Sequence, residues 1–366
     1  MRYVNPSPTI SNVVCNQLSI VLLVGVMLGT LTACSTTSSN PLPTIGIDVG
    51  PGVNFRGDIV ALQFLPNQQL LVGVGYDGIY RWNLATSTIE QTLAAKQIYL
   101  AFSASELLVA STDRKTLTTW NSNDGQKILA WNAKPLQLPA QTTAFEVSAL
   151  AITPDQQQII AAYNKGSMLQ TWNVATGEAT TTFGAPAKTG SIVEIALSPD
   201  GQLLASNDFS GVVQIWDVAS GQQVHSFKEA SLNYQPGKLA WSHDGKWLAA
   251  SSGDKNGGGV AIWDTSSWAI YATHRSTEHQ FAGLAFHPTA PSLAIGSSSG
   301  LIELYDLTSK QVNNSLKGHA ERVTSLVWNA DGSQLASGGK EPFVLIWDST
   351  SLTEQQRLVL PATPLQ

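Results

Sequence analysis

The sequence predicts an all-β protein, a seven-bladed β-propeller of four-stranded antiparallel blades. Three observations carry that prediction. Apolar segments recur along the chain and end in a large residue at Phe64, Phe102, Ile152, Leu197, Trp241, Phe286 and Trp328, in steps of 38, 50, 45, 44, 45 and 42 residues. An aromatic residue followed by Asp or Asn closes a later segment of every repeat: Trp82-Asn83, Trp120-Asn121, Trp172-Asn173, Trp216-Asp217, Trp263-Asp264, Tyr305-Asp306 and Trp347-Asp348. The 30 Gly and 17 Pro favour many turns, and hence many short strands.

Each element of the repeat has a local cause. The first apolar segment is often followed by a tight reversal, as in Thr153-Pro154-Asp155, Ser198-Pro199-Asp200-Gly201, Ser242-His243-Asp244-Gly245 and Asn329-Ala330-Asp331-Gly332. Proline fixes φ and glycine accepts positive φ, which suits such turns. A second short apolar strand comes next, for example Leu203-Leu204-Ala205-Ser206. The third strand alternates, as in Val212-Val213-Gln214-Ile215-Trp216, which fits a half-exposed sheet. A fourth follows a small turn such as Ala219-Ser220-Gly221. Four short strands in a unit of about 40–45 residues is a propeller signature. One such sheet cannot bury both faces alone; stacked in a ring, each blade covers its neighbours. Residues 355–360 are expected to be the outer strand of the last blade, with residues 44–48 the alternative.

Composition narrows the function. With 43% hydrophobic and 13% charged residues, the chain is too apolar for disorder. A net charge of -6 with 20 Lys+Arg offers no basic face for nucleic acid, so no nucleic-acid partner is expected. Two cysteines exclude a disulfide framework and a Cys-rich metal site.

The N-terminus reads as an address. Residues 18–31 form an apolar run too short for a membrane span, which needs about 20 residues, but suited to a signal peptide. The run ends in Leu31-Thr32-Ala33-Cys34, which resembles the bacterial lipobox. That resemblance implies cleavage of residues 1–33 and lipidation of Cys34, followed by a flexible tether over 34–54. An uncleaved anchor or a buried helix are the alternatives. Cleavage would remove one basic residue and leave 19 against 26 acidic, a net charge of -7.

Residues 55–360 resemble the WD-repeat β-propeller family, and 361–366 form a tail. The Trp-Asp endings, the Ser-Pro-Asp-Gly turn and Gly318-His319 carry the match. The chain also departs from the family. Only the seventh unit has Gly-His, and the family's turn Asp, six residues before the Trp, is replaced by Tyr76, Arg114, Gly166, Ser210, Gly257, Ser299 and Glu341. The family's His–Ser–Asp–Trp network is therefore not expected in its usual version.

No catalytic constellation stands out, so the chain is read as not an enzyme, without cofactor or metal. None of the six His lies in a metal-ligand spacing, and no nucleophile elbow or phosphate loop is present. The resemblance implies contact positions on the top face, the end of the ring that carries the connections between blades. Those residues are Asp58, Lys96, Glu146 and Arg322, which open first strands, and Asp113, Lys165, Phe209, Asn256 and Lys340 in turns. Trp131 joins them because residues 131–144 are the longest segment between repeats and rich in Leu and Pro. That segment is either a binding lip or a loop folded back over its own blade. Mixed charges on the rim suit polypeptide recognition.

The expected function is a non-catalytic platform for protein partners, monomeric and lipid-tethered to a bacterial membrane outside the cytoplasm. The alternatives are a propeller hydrolase or lactonase with a channel site, for which Asp58, Glu146 and Glu194 are candidates, and an envelope-assembly component.

Overall fold

The computed structural model describes residues 58–65, 69–74, 78–93, 99–102, 108–122, 124–136, 145–163, 168–183, 191–228 and 236–361. They lie in a compact unit over Val53–Gln366. The signal peptide, Cys34, the tether and residues 44–48 lie outside the described residues.

The strands fall into seven four-stranded antiparallel sheets, each in simple sequence order. The first blade is β1 (Ile59–Leu65), β2 (Gln69–Val74), β3 (Gly78–Asn83) and β4 (Thr88–Leu93). The second is β5 (Tyr99–Phe102), β6 (Leu108–Thr112), β7 (Thr116–Asn121) and β8 (Lys127–Asn132). The third is β9 (Val147–Ile152), β10 (Gln158–Tyr163), β11 (Met168–Asn173) and β12 (Ala179–Phe183). The fourth is β13 (Ile192–Leu197), β14 (Leu203–Asp208), β15 (Val212–Asp217) and β16 (Gln223–Lys228). The fifth is β17 (Pro236–Trp241), β18 (Trp247–Asp254), β19 (Gly257–Asp264) and β20 (Ala269–Ser276). The sixth is β21 (Phe281–Phe286), β22 (Ser292–Ser297), β23 (Ile302–Asp306) and β24 (Gln311–Leu316). The last is β25 (Val323–Trp328), β26 (Gln334–Gly339), β27 (Phe343–Asp348) and β28 (Glu354–Val359).

The tight reversals are built by side chains. Ser198 Oγ donates to Asp200 Oδ1 at 2.5 Å and accepts the Leu203 N–H at 2.9 Å. Ser242, Asp244 and Trp247 repeat the pattern at 2.7 and 2.9 Å. Gly201 and Gly245 hold φ of 71° and 72°, a region that disfavours any side chain. Each such turn delivers the second strand next to the first in a fixed register.

The ring closes through the last blade's own C-terminal strand. β28 hydrogen-bonds to β27, so the outer place is filled from residues 354–359. Thr324 Oγ1 donates to the Ile59 carbonyl at 3.1 Å, across 265 residues of chain. Beneath that bond, Ile59, Leu62 and Val72 share one core with Ala336, Val344 and Ile346.

Neighbouring blades cover one another through shared apolar cores. Among the described residues, six of the seams between blades hold eight or more buried apolar side chains each. The seam between the first and second blades holds Leu65 and Ile79, with Leu100, Phe102 and Trp120 packed around them.

Candidate interaction surface

In an up-and-down sheet, successive turns alternate between the two ends. Connections from second to third strand, and from one blade to the next, share the top end. Turns from first to second and from third to fourth strand share the opposite end. The residues singled out from the sequence can be placed on this frame.

Phe209 is the most exposed of the sequence-singled residues that carry a large apolar side chain, with 60% of its surface open. It sits in the turn between β14 and β15. Asp208, almost fully buried, holds that turn: its Oδ1 accepts the Ser210 N–H at 2.8 Å, the Ser210 hydroxyl at 2.5 Å and the Val212 N–H at 3.2 Å. A rigid turn that displays an aromatic ring loses little entropy on binding.

Arg322 is half-buried, and its Nη2 donates to Gln280 Oε1 at 2.6 Å. Gln280 Nε2 in turn donates to the Asp254 carbonyl at 2.8 Å. One chain of bonds therefore ties the rims of the fifth, sixth and seventh blades. Exposed Lys340 joins it through its N–H, which donates to the Arg322 carbonyl at 3.1 Å. Glu146 pairs with Arg114 at 3.2 Å, bridging the third and second blades. Asp58 is exposed just before β1.

Two rim acids shape turns. Asp113 Oδ1 accepts the N–H groups of Lys115 and Thr116 at 3.0 and 2.7 Å. Exposed Asn256 donates its N–H to Asp254 Oδ1 at 2.7 Å. Lys96 and Lys165 lie outside the described residues.

The expectation that Trp131 opens a loop is corrected. Trp131 belongs to the outer strand β8, opposite Leu117. Its ring lies 6.4 Å from the Trp172 ring, and a Cβ on Gly177 would meet it at 3.1 Å. It packs in the core shared by the second and third blades. The surface position after it is Leu136, 64% exposed, whose N–H reaches Gln170 Oε1 at 3.4 Å.

Two of the three carboxylates weighed for a channel site are paired with cations: Glu194 is held by Lys238 Nζ at 2.9 Å and Glu146 by Arg114, while Asp58 is exposed. Among the described residues no group of three or more His, Cys, Asp or Glu could hold a metal ion.

The sequence reading missed the network around His319. Trp347 Nε1 donates to Ser337 Oγ at 2.7 Å, Ser337 bonds His319 Nε2 at 2.8 Å, and His319 Nδ1 faces Glu341 Oε2 at 2.6 Å. Glu341 takes the place of the expected Asp. Its carboxyl is buried, which alone would raise its pKa, yet the bonds from His319 and the Ala320 N–H hold it below the ordinary value. A second cluster was not foreseen: Glu303 faces His274 at 2.7 Å and His279 at 3.4 Å.

The ring of four-stranded blades and its fixed rim define a scaffold of the propeller class. Two family profiles match the chain: "WD domain, G-beta repeat" over residues 177–217, and "IFT140 first beta-propeller" over residues 221–360. These matches support a WD-repeat propeller. Among curated relatives, Protein TOPLESS of Arabidopsis thaliana is 28% identical over 107 residues, 29% of this chain and 10% of that protein. Meiotic fizzy-related protein 1 of Schizosaccharomyces pombe is 34% identical over 91 residues, 24% of this chain and 21% of its own length. APC/C activator protein CDC20 of Saccharomyces cerevisiae is 36% identical over 103 residues, 27% of this chain and 17% of its own length. The chain therefore spans between 10% and 21% of the length of these relatives.

Proposed function

We propose that the protein is a non-catalytic interaction platform that binds polypeptide partners on the top face of its propeller. The observation that carries this reading is Phe209, 60% exposed on a turn pinned by buried Asp208. An aromatic anchor on a rigid rim, flanked by charges of both signs, suits protein recognition. The Arg322–Gln280–Asp254 chain supports it, because a rim tied across three blades presents one fixed surface. Pairing of Glu146 and Glu194 with cations weighs against a channel enzyme.

The same proposal includes a tether: residues 1–33 are removed and Cys34 carries the lipid that holds the propeller to a bacterial membrane outside the cytoplasm. The apolar run ending in Leu31-Thr32-Ala33-Cys34 supports it. A stable bilayer anchor needs more than one acyl chain. Cys34→Ser should abolish labelling by a palmitate analogue and leave a precursor or a soluble form. Continued labelling and membrane partition would refute the tether.

The platform is tested by capture from membranes with tagged protein, followed by mass spectrometry. Phe209→Ala with Arg322→Ala should deplete the captured partner, since aromatic and Arg anchors often contribute about 2 kcal/mol or more at interfaces. Undiminished capture would place the binding surface elsewhere.

A further inference from the structure

The end of the ring opposite Phe209 carries a groove that the platform reading does not use. Phe102, Leu150, Ile152, Pro154, Leu197 and Pro199 line a cavity of about 310 Å³ where the first strands of the second, third and fourth blades end. A second cavity of about 480 Å³ adjoins it through Ser198 and Pro199. Its walls change character: Asp200, Asp244 and His243 stand beside half-buried Trp241. One half is therefore apolar and the other acidic.

The acids are fixed and charged. Hydrogen bonds from the Ser198 hydroxyl and the Gln202 N–H hold Asp200 below the ordinary carboxylate range. Burial acts against Asp244, but the Ser242 hydroxyl and Lys246 keep it depressed as well. Asp155, exposed beside Pro154, is held down mainly by the Thr153 hydroxyl. Lys246, on Asp244 at 3.0 Å, is the nearby cation and offsets one of these three charges. Trp241 is locked by its Nε1, which donates to the Ala196 carbonyl at 3.0 Å, so its ring is a fixed wall.

We infer that this groove docks a polypeptide segment in which an apolar side chain is flanked by Lys or Arg. Charge complementarity selects the occupant. The apolar cavity accepts a side chain of leucine size, and burying it supplies affinity. The carboxylates of Asp155, Asp200 and Asp244 attract the flanking cations, and the Trp241 face adds a surface on which a cation can rest. An anionic lipid surface or a nucleic acid would be repelled by the same three charges.

The test uses the full chain and short labelled peptides of defined composition, followed by fluorescence anisotropy. A peptide of alternating lysine and leucine should bind, and one of alternating glutamate and leucine should not. A lysine–serine peptide should bind about tenfold more weakly, because it lacks the apolar contact. Asp200→Asn with Asp244→Asn keeps an Oδ1 acceptor for each turn's hydrogen bonds and should weaken the lysine–leucine peptide about tenfold. Leu197→Gln should do the same from the apolar side, with Pro199→Gln as the exposed substitute if Leu197→Gln does not fold. A photo-crosslinking lysine–leucine peptide should label residues 150–154 and 197–200. Equal binding of the lysine–serine peptide, full binding by the double Asn variant, or crosslinks confined to other segments would each overturn the inference.

Discussion

His319 Nδ1 lies 2.6 Å from Glu341 Oε2, and this pair anchors the one complete His–Ser–acid–Trp network among the described blades. The His319 side chain is 1% exposed, so its two nitrogens need partners. The bond to the carboxylate places the proton on Nδ1 and leaves Nε2 to accept from Ser337. Ser337 Oγ also accepts from Trp347 Nε1, and so links the connection before the blade to its third strand.

Ser337→Ala is therefore expected to destabilise the protein clearly. It leaves His319 Nε2 and Trp347 Nε1 buried without partners, at a cost of about 1–3 kcal/mol. Ser206→Ala should cost less, because it orphans the Trp216 indole alone, now bonded at 2.9 Å. Chemical denaturation of the two variants checks the order. Equal losses would show that the histidine arm adds nothing.

Much of this was legible, and the reasons for the rest are specific. Ser198-Pro199-Asp200-Gly201 reads as a turn because all its bonds are local, within five residues. Gly318-His319 and Trp347 mark the seventh blade for the same reason: each is a fixed residue type at a fixed place. Glu341 was unreadable as a partner, because its role depends on how far a longer side chain reaches across 22 residues of chain. Trp131 was misplaced because β8 is mostly exposed, and such a strand shows no alternation to mark its end. The Glu303 cluster joins a fourth strand of one blade to a third strand of the next, a pairing set only by the stacking of sheets.

Trp131 and Phe209 give opposite expectations on substitution. Trp131→Ala removes a half-buried ring from the core between the second and third blades and should cost about 2 kcal/mol. Phe209→Ala removes an exposed ring and should shift stability by less than about 0.5 kcal/mol. Thermal melts of both single variants test this. A neutral Trp131→Ala would return that residue to the surface.

Acid should destabilise the ring through two buried carboxylates. Burial opposes ionisation of Glu303, but His274 and His279 hold its pKa below the ordinary 4.5. Glu341 is lowered in the same sense by His319. For a depressed carboxylate the stabilisation is complete above its unfolded value and is lost as pH falls through the folded value. Stability should thus be flat in this contribution above about pH 5 and decline below about pH 4. Glu303→Gln with Glu341→Gln should be less stable at neutral pH and show a shallower acid decline. An unchanged slope in denaturation midpoints between pH 5 and 3 would show that other groups govern it.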